Sequence, residues 1–351
     1  MKNLRSFCLF VFVAAGAVTS RACNLCGCHG APQMKRSFCD LILLPVTRAA
    51  FNAVILALTM ALLVPETISA HGFAGSRFFP ATLSTDDPFV ADEFSLPTVS
   101  SIVTPDNGGT RDTEISSDIA LRITPKWDIE FGETFITLKP SRGKAVNGFD
   151  NLSIGSKYEF FENDEHEAVV SLGFGVDVGG TGSKSIGADS FSTWTPGLFF
   201  GKGLGDLPSG LSLLRPIAIT GLVGVALPSS ASTDGSPNPA ALQLGFAFEY
   251  SIIYLQEQVR DIGLRAPFDR LIPLVEISLS DPINRGESGL ITGTVNPGII
   301  WSGKYFQVGA EAVIPINSRT GNDVGFIAQL HFYLDDLFPH SLGRPLFGGN
   351  K

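Results

Sequence analysis

The chain lacks three features that mark common protein classes. All five cysteines lie within the first 39 residues, so the remainder can form no disulfide and no cysteine-bound metal site. After residue 70, no apolar run approaches the roughly 18 residues that a membrane-spanning helix needs. Charged residues make up only 17% of the 351 positions and sum to −9, which argues against disorder and against nucleic acid as a partner. The 38 glycines and 27 phenylalanines that are present favour β structure with tight turns.

The N-terminal region has the organisation of an export signal. A basic start at Met34-Lys35-Arg36 precedes an apolar stretch over residues 51–64, and Ile68-Ser69-Ala70 is an acceptable cleavage site. We therefore predict a signal peptide over residues 34–70. Residues 1–33 are interpreted as an upstream over-extension of the reading frame, with one long, unusual leader as the alternative. Cleavage would leave a mature chain without cysteine.

The clearest structural signal lies between Lys304 and Asp335. Two segments there alternate apolar and polar residues, as in Phe326, Ala328 and Leu330 against Gly325, Gln329 and His331. A period of two places all apolar side chains on one face of a strand. Each segment keeps this pattern for about ten residues, which is the length that a tilted strand needs to cross a bilayer.

Similar segments follow one another from residue 115 onwards, joined alternately by short turns and by longer loops rich in Gly, Ser, Asp and Asn. With a weak strand near residues 95–104, the count reaches about twelve. The predicted fold is all-β, a transmembrane antiparallel up-and-down β-barrel over residues 95–335. Residues 71–94 are predicted to be a periplasmic or lumenal segment and residues 336–351 a C-terminal tail.

A soluble β-sandwich would also alternate, because one face of each of its sheets is buried. The length of the strands and the near absence of charge from their apolar faces favour the membrane barrel. Aromatic residues near strand ends would supply the interfacial girdle. They are Trp127, Tyr158, Phe160, Trp194, Tyr250, Tyr254, Trp301, Tyr305, Phe332 and Tyr333.

The face opposite the lipid carries the chemistry of the predicted barrel. The candidate lumen-lining residues are Asp118, Arg122, Asp128, Glu130, Lys157, Glu159, Asp177, Glu249, Glu276, Glu311, Gln329 and His331, and Lys202 is assigned to the same face. One interpretation is a structural interior of paired charges and water. The other is an acid-biased lumen that favours cations or polar solutes over anions.

Motifs for other functions are absent or incomplete. Cys23, Cys26, Cys28 and His29 do not have the spacing of haem attachment, and no second zinc-ligand pair follows them. There is no Gly-x-Ser-x-Gly, phosphate-binding loop or His-Glu-x-x-His. We therefore predict no cofactor, no metal site and no enzymatic activity.

The lead-in carries a family resemblance. His71-Gly72-Phe73-Ala74-Gly75-Ser76-Arg77-Phe78-Phe79-Pro80, followed by Asp87-Pro88-Phe89-Val90, resembles the start of putative outer-membrane proteins grouped under the MetA pathway of phenol degradation. The resemblance implies a barrel in the outer membrane, with its lipid and the barrel-assembly machinery as partners. It implies transport of small solutes, aromatic compounds among the candidates, and it transfers no catalytic residues.

Two functions therefore remain open at the level of sequence. One is a channel or transporter for a small molecule that the sequence does not identify. The other is a structural or surface-interaction barrel whose external loops do the work. A lumen threaded by residues 71–94 would favour a gated or ligand-specific carrier, whereas an open lumen would favour passive diffusion.

Overall fold

Twelve antiparallel strands form one closed sheet in the computed structural model, which describes residues 72–348. Each strand pairs with its neighbours in the chain, and β12 pairs with β1 to close the barrel. This confirms the predicted up-and-down barrel and its twelve strands. The strands are β1 Glu93–Thr104, β2 Thr110–Thr124, β3 Trp127–Pro140, β4 Ser153–Asn163, β5 Ala168–Asp177, β6 Thr193–Gly203, β7 Ile217–Pro228, β8 Ala241–Tyr250, β9 Leu271–Pro282, β10 Thr292–Ser302, β11 Phe306–Pro315 and β12 Gly325–Tyr333.

The closing pair includes the strand with the weakest sequence signal. Phe326 of β12 lies opposite Ser101 of β1, and Tyr333 lies opposite Glu93. The register of β1 shifts between Ser95 and Thr98 against β2. Pro97 lies inside this irregularity, where its missing N–H removes no regular ladder bond. The proline and the bulge explain why β1 alternates poorly in sequence.

The connections differ in length at the two ends of the barrel. The short-turn end has turns at 125–126, 164–167 and 303–305 and two longer connections at 204–216 and 251–270. The second of these contains a short helical segment over residues 252–259. The remaining short elements are the hairpins Phe73–Ala74/Arg77–Phe78 and Ser232–Thr233/Ser236–Pro237, the strand Val146–Phe149, the α-helices Ile252–Tyr254 and Leu334–Leu337, the π-helix Leu255–Val259, and 3₁₀ turns Asp106–Gly108, Lys184–Ile186, Ser209–Leu214 and Phe268–Arg270.

The outer surface of the sheet is apolar because every second residue points outwards. The exposed side chains there include Ile115, Phe131, Tyr158, Leu172, Phe174, Leu198, Val223, Phe248, Val275, Ile299, Val308 and Phe326. We call this surface the apolar belt. Among residues 72–348, no helix is long and apolar enough to span a membrane.

Two of the predicted girdle residues do not lie on this surface. Tyr254 and Tyr333 are buried at the short-turn end. The Tyr254 ring lies 3.6 Å from the Arg77 guanidinium, and the Tyr333 hydroxyl donates to Gln307 Oε1 at 2.8 Å. The prediction was wrong for these two because each tyrosine has a polar partner inside the molecule. Trp127, Tyr158, Phe160, Trp194 and Tyr305 are exposed.

The lumen of the barrel contains two apolar clusters. Leu83 packs with wall residues such as Ile272, Ile300 and Ile327. Phe79 and Phe89 pack with Val169 and Ala218. Apolar lumenal positions are stable here because residues from the N-terminal segment cover them and exclude water. The lumen is therefore polar only in part, which the strand alternation alone does not indicate.

The end of the described chain folds back on the barrel. The N–H groups of Leu346 and Phe347 donate to the carbonyls of Arg122 and Ile123 at 3.1 and 2.9 Å, beside the last residues of β2. The predicted signal peptide over 34–70, the over-extension over 1–33, residue 71 and residues 349–351 lie outside the described residues.

Candidate functional site

The site consists of the lumen and of residues 72–92, which occupy it and which we call the lumenal segment. The segment enters at the short-turn end, where Gly75 N donates to Asp164 Oδ1 at 2.9 Å. It reaches the middle of the barrel at Leu83–Thr85, which we call the tip. It then returns to the short-turn end, where β1 begins at Glu93. A polar, proline-punctuated sequence suits this path because the chain can satisfy its backbone groups on lumenal side chains.

A buried arginine fixes the entering strand of the lumenal segment. Arg77 is fully buried, and its Nε and Nη2 both donate to Glu167 Oε2 at 3.1 Å. Its Nη1 donates to the Pro216 carbonyl at 3.0 Å, and its guanidinium stacks on Tyr254. Such a fully bonded arginine can remain buried, whereas an unpaired one is very costly.

The returning strand has its own anchor. Asp92 accepts from Arg122 twice, from the backbone N and from Nε, both at 2.7 Å. Arg122 also approaches Asp335 at 3.8 Å. Burial raises the pKa of the Asp92 carboxyl, and its bonds with Arg122 oppose that shift. The predicted residue Arg122 thus joins the lumenal segment to the end of the barrel sequence.

Glu276 binds the tip. Its fully buried carboxylate accepts from three successive backbone N–H groups, those of Leu83, Ser84 and Thr85, at 2.7, 2.9 and 2.7 Å. The hydroxyls of Ser84 and Thr85 donate to the same carboxylate at 2.8 and 3.0 Å. Successive N–H groups that converge in this way form an anion site. We call the five contacts the Glu276 latch.

A second polar contact holds the residues after the tip. Lys157 Nζ donates to Asp86 Oδ1 at 3.0 Å and to the Asp87 carbonyl at 2.7 Å. Ser171 Oγ donates to the Pro88 carbonyl at 2.5 Å. Burial raises the pKa of the Asp87 carboxyl to about 7, while the Lys157 ammonium opposes the shift. Lys157 is therefore the cation that matches the charge of this part of the segment.

On the β11 side, an uncharged network holds the residues before the tip. Gln307 Nε2 donates to the Ala81 carbonyl at 2.5 Å, and Gln307 Oε1 accepts from the Tyr333 hydroxyl. Tyr333 also shares a hydrogen bond of 2.9 Å with Ser302. These three side chains are buried. Their hydrogen bonds connect the barrel wall to the lumenal segment.

Four other predicted residues bond within the wall. Asp128 Oδ1 accepts from Lys157 N at 2.8 Å, and Glu159 pairs with Lys126 at 3.2 Å. Gln329 Nε2 donates to Thr98 Oγ1 at 3.2 Å. His331 contacts Ser95 through Nδ1 at 2.8 Å and Glu93 through Nε2 at 3.2 Å. Gln329 and His331 therefore connect the closing strands β12 and β1.

Glycines make room for two of the lumenal carboxylates. Asp118 lies opposite Gly132, where an added Cβ would meet Asp118 Oδ1 at 2.5 Å. Glu130 lies opposite Gly155, where the corresponding distance to Glu130 Oε2 is 3.1 Å. These side chains thus lean along the lumenal face over the neighbouring strand.

The remaining three predicted residues differ in how deeply they are buried. Glu311 lies beside Glu276 and Asn296. Ala247 of β8 lies opposite Glu276, and Glu249 follows two residues later on the same face of the sheet. Glu311 and Glu249 are buried, whereas Asp177 is exposed at the end of β5 among the long loops. The twelve candidates therefore form a band of contacts along the lumen and not one compact centre.

Lys202 was assigned to the wrong face. It shares the parity of Trp194, Leu198 and Phe200, which face outwards, and it lies beyond them near the end of β6. Its Nζ bonds with Asp206 at 2.9 Å and with the His166 carbonyl. The lysine belongs to the short-turn end of the outer surface.

A cavity of about 530 Å³ lies beside the tip. Seven of its fifteen lining residues are Ser or Thr, and four are leucines, with Gln243, Asp86 and two glycines completing the lining. It extends to Thr320 in the loop between β11 and β12. None of the described residues that line it is Lys, Arg or aromatic. Within residues 72–348, no group of three or more His, Cys, Asp or Glu side chains is arranged to hold a metal ion.

Several residues of the site were missed from the sequence. Arg77, Asp92 and Asp86 lay in a lead-in with no periodic pattern, and Glu167 and Ser171 gave no signal of a partner there. Gln307 and Ser171 had a usable signal of their face, because they lie on the polar sides of the alternating strands β11 and β5.

The chain resembles known proteins distantly in its fold and not in its sequence. No protein-family model matches the chain, and a search of curated proteins found no match. Among solved structures, an outer membrane channel from Pseudomonas putida F1 aligns with a TM-score of 0.49 and 9% identity, over 76% of this chain and 99% of that one. The β domain of the Bordetella autotransporter BrkA aligns with a TM-score of 0.38 and 13% identity, over 70% of this chain and 99% of that one. The translocator domain of NalP from Neisseria meningitidis aligns with a TM-score of 0.38 and 8% identity, over 69% of this chain and 87% of that one.

These likenesses are too weak to support a conclusion about this chain. Its barrel is assigned from its own strand pairing. The family resemblance of the lead-in stays a prediction, because no family model matches it.

Proposed function

We propose that the protein is an outer-membrane channel or transporter for small solutes, and that the lumenal segment is its gate. The observation that carries the proposal is the set of polar contacts between a closed barrel and a segment of its own chain that fills the lumen. A structural barrel has no need of a separate, bonded obstruction in its lumen.

The closed sheet and the apolar outer surface of the barrel support its location in a membrane. A closed sheet leaves no unpaired edge, which hydrocarbon requires of any spanning structure. The apolar belt supplies the lipid-facing surface. Together with the predicted export signal, these features support outer-membrane lipid and the barrel-assembly machinery as partners.

The gate proposal rests on the chemistry of the contacts. The tip is attached to Glu276 by hydrogen bonds to one carboxylate and by no covalent link. Such contacts can exchange for water or for a solute, whereas the base of the segment is fixed through Arg77 and Asp92. We therefore expect the tip to move while the base of the lumenal segment stays in place.

The charge of the lumen supports cationic or neutral polar solutes. Asp86, Asp87, Asp128 and Glu130 lie around the Lys157 ammonium, and Asp118 lies near Asp86. The cavity beside the tip adds hydroxyl groups and no cation among the described residues. Acidic walls raise the local concentration of cations and exclude anions. The aromatic solutes suggested by the family resemblance find no aromatic side chain in this cavity.

A salt-gradient measurement tests this proposal. In planar bilayers with a KCl gradient, we expect the reversal potential to give a potassium-to-chloride permeability ratio of about five, since a carboxylate near a cation contributes about 1 kcal/mol in a wet pore. Asp86→Asn should lower the ratio because it removes a lumenal carboxylate that pairs with Lys157. Asp206→Asn, in a turn outside the lumen, is the control and should leave the ratio unchanged.

Anion selectivity would contradict the charge argument. If neither the wild type nor a variant with a weakened latch conducts, the alternative function gains support. That alternative is a structural or surface-interaction barrel with no transport role.

A further inference from the structure

The two long connections at the short-turn end expose apolar side chains that the alternation of the strands does not explain. They belong to residues 204–216 and 251–270. The side chains are between 36% and 61% exposed, although neither connection is part of the sheet. They are Leu211, Leu213, Leu214, Ile262, Leu264 and Phe268.

Both connections are attached to the outer surface of the barrel by aromatic residues at strand ends. The Tyr250 hydroxyl donates to the Leu213 carbonyl at 3.1 Å. Trp301 Nε1 donates to the Pro267 carbonyl at 3.0 Å. Tyr250 and Trp301 point outwards, because their neighbours Glu249, Ile300 and Ser302 are buried in the lumen. The connections are thus held at the level where the apolar belt ends.

The composition of the connections suits the boundary between water and lipid. Tyrosine and tryptophan with a bonded polar tip are typical of the headgroup region. The second connection also contains Arg260, Arg265 and Arg270, of which Arg265 pairs with Asp261 at 3.4 Å. Long basic side chains can place their stems along apolar surface and their charges beside lipid phosphates.

We propose that residues 209–214 and 262–268 form an interfacial shelf that binds the phospholipid leaflet at the short-turn end. This inference rests on the membrane position in the proposed function. Lipid is the occupant because the shelf is continuous with the belt and is attached to it through Tyr250 and Trp301. A shelf of this kind widens the contact of the barrel with one leaflet and fixes its depth.

Spin labels test the shelf in reconstituted protein. With the five native cysteines replaced by serine, Leu213→Cys and Phe268→Cys each receive a nitroxide in phosphatidylethanolamine–phosphatidylglycerol vesicles. We expect both labels to be several-fold more accessible to oxygen, relative to a water-soluble nickel complex, than a label at Ser232→Cys in a long loop. A label at Val308→Cys on the belt is the positive control.

The outcomes separate the shelf from the proposed function. A lipid-like Val308 label with water-exposed labels at 213 and 268 would overturn the shelf and leave the membrane barrel intact. Labels at 213 and 268 that are shielded from both reagents would indicate a protein contact and would also overturn it. A water-exposed Val308 label would contradict the membrane position itself.

Discussion

Replacing residues 79–89 with a Gly/Ser linker of equal length should raise the single-channel conductance about tenfold or more. The exchange removes the tip, Phe79, Phe89 and the residues bound by Lys157 and Glu276. It keeps Arg77 and Asp92, which fix the two ends of the segment. A twelve-strand barrel is wider than the eight-strand barrels that side chains alone fill, so removing the segment should open a water-filled path.

A linker of equal length in place of residues 229–239 is the matched control. That loop lies between β7 and β8 at the long-loop end and makes none of the contacts described for the lumenal segment. Heat-modifiable migration in gels checks that both variants fold. Equal conductance of the two variants, with both folded, would show that the lumenal segment is not the obstruction.

Glu276→Gln should release the tip without removing it. The carboxylate accepts five hydrogen bonds, while an amide of the same shape offers one oxygen and turns an NH₂ group towards donors. Charge-assisted bonds contribute about 1.5–3 kcal/mol each, so the loss should weaken tip binding by about 3 kcal/mol. The equilibrium between bound and released tip then shifts about 100-fold. Single-channel recording should show a corresponding rise in open probability.

Glu249→Gln is the control for this substitution. It removes a buried lumenal carboxylate on the neighbouring strand, where no hydrogen bond to the tip is found. We expect its open probability to stay within about twofold of the wild type, because no tip contact changes. An equal rise in both variants would point to a general effect of lumenal charge and would contradict the latch.

The barrel was predictable because its strands are long and one of their faces must be apolar. Strands such as β11 and β12 show a period of two that a membrane requires on one side and the lumen permits on the other. Even β1 followed from topology, since the predicted export of the N-terminus and an even strand count demanded a strand before β2. Parity also placed Glu276 and Lys157 on the lumenal face before their partners were known.

The contacts of the lumenal segment could not be predicted in the same way. Glu276 binds backbone N–H groups, and every residue has one, so sequence gives no sign of the partner. Arg77 and Glu167 are separated by 90 positions and meet only because the segment passes the turn after β4. Tyr254 and Tyr333 have the residue type of a girdle, but buried polar partners hold them inside.

A disulfide between the tip and the wall tests the gate most directly. A Cβ at Gly245 would lie 3.2 Å from Thr85 Cβ, about 0.6 Å short of a typical disulfide spacing of about 3.8 Å. Thr85→Cys with Gly245→Cys would be introduced into the Glu276→Gln variant, with the native cysteines replaced by serine. We expect oxidation to abolish the added conductance and a reductant to restore it, while each single-cysteine variant stays open. Conductance that is the same before and after reduction of a formed disulfide would contradict a gate made by the lumenal segment.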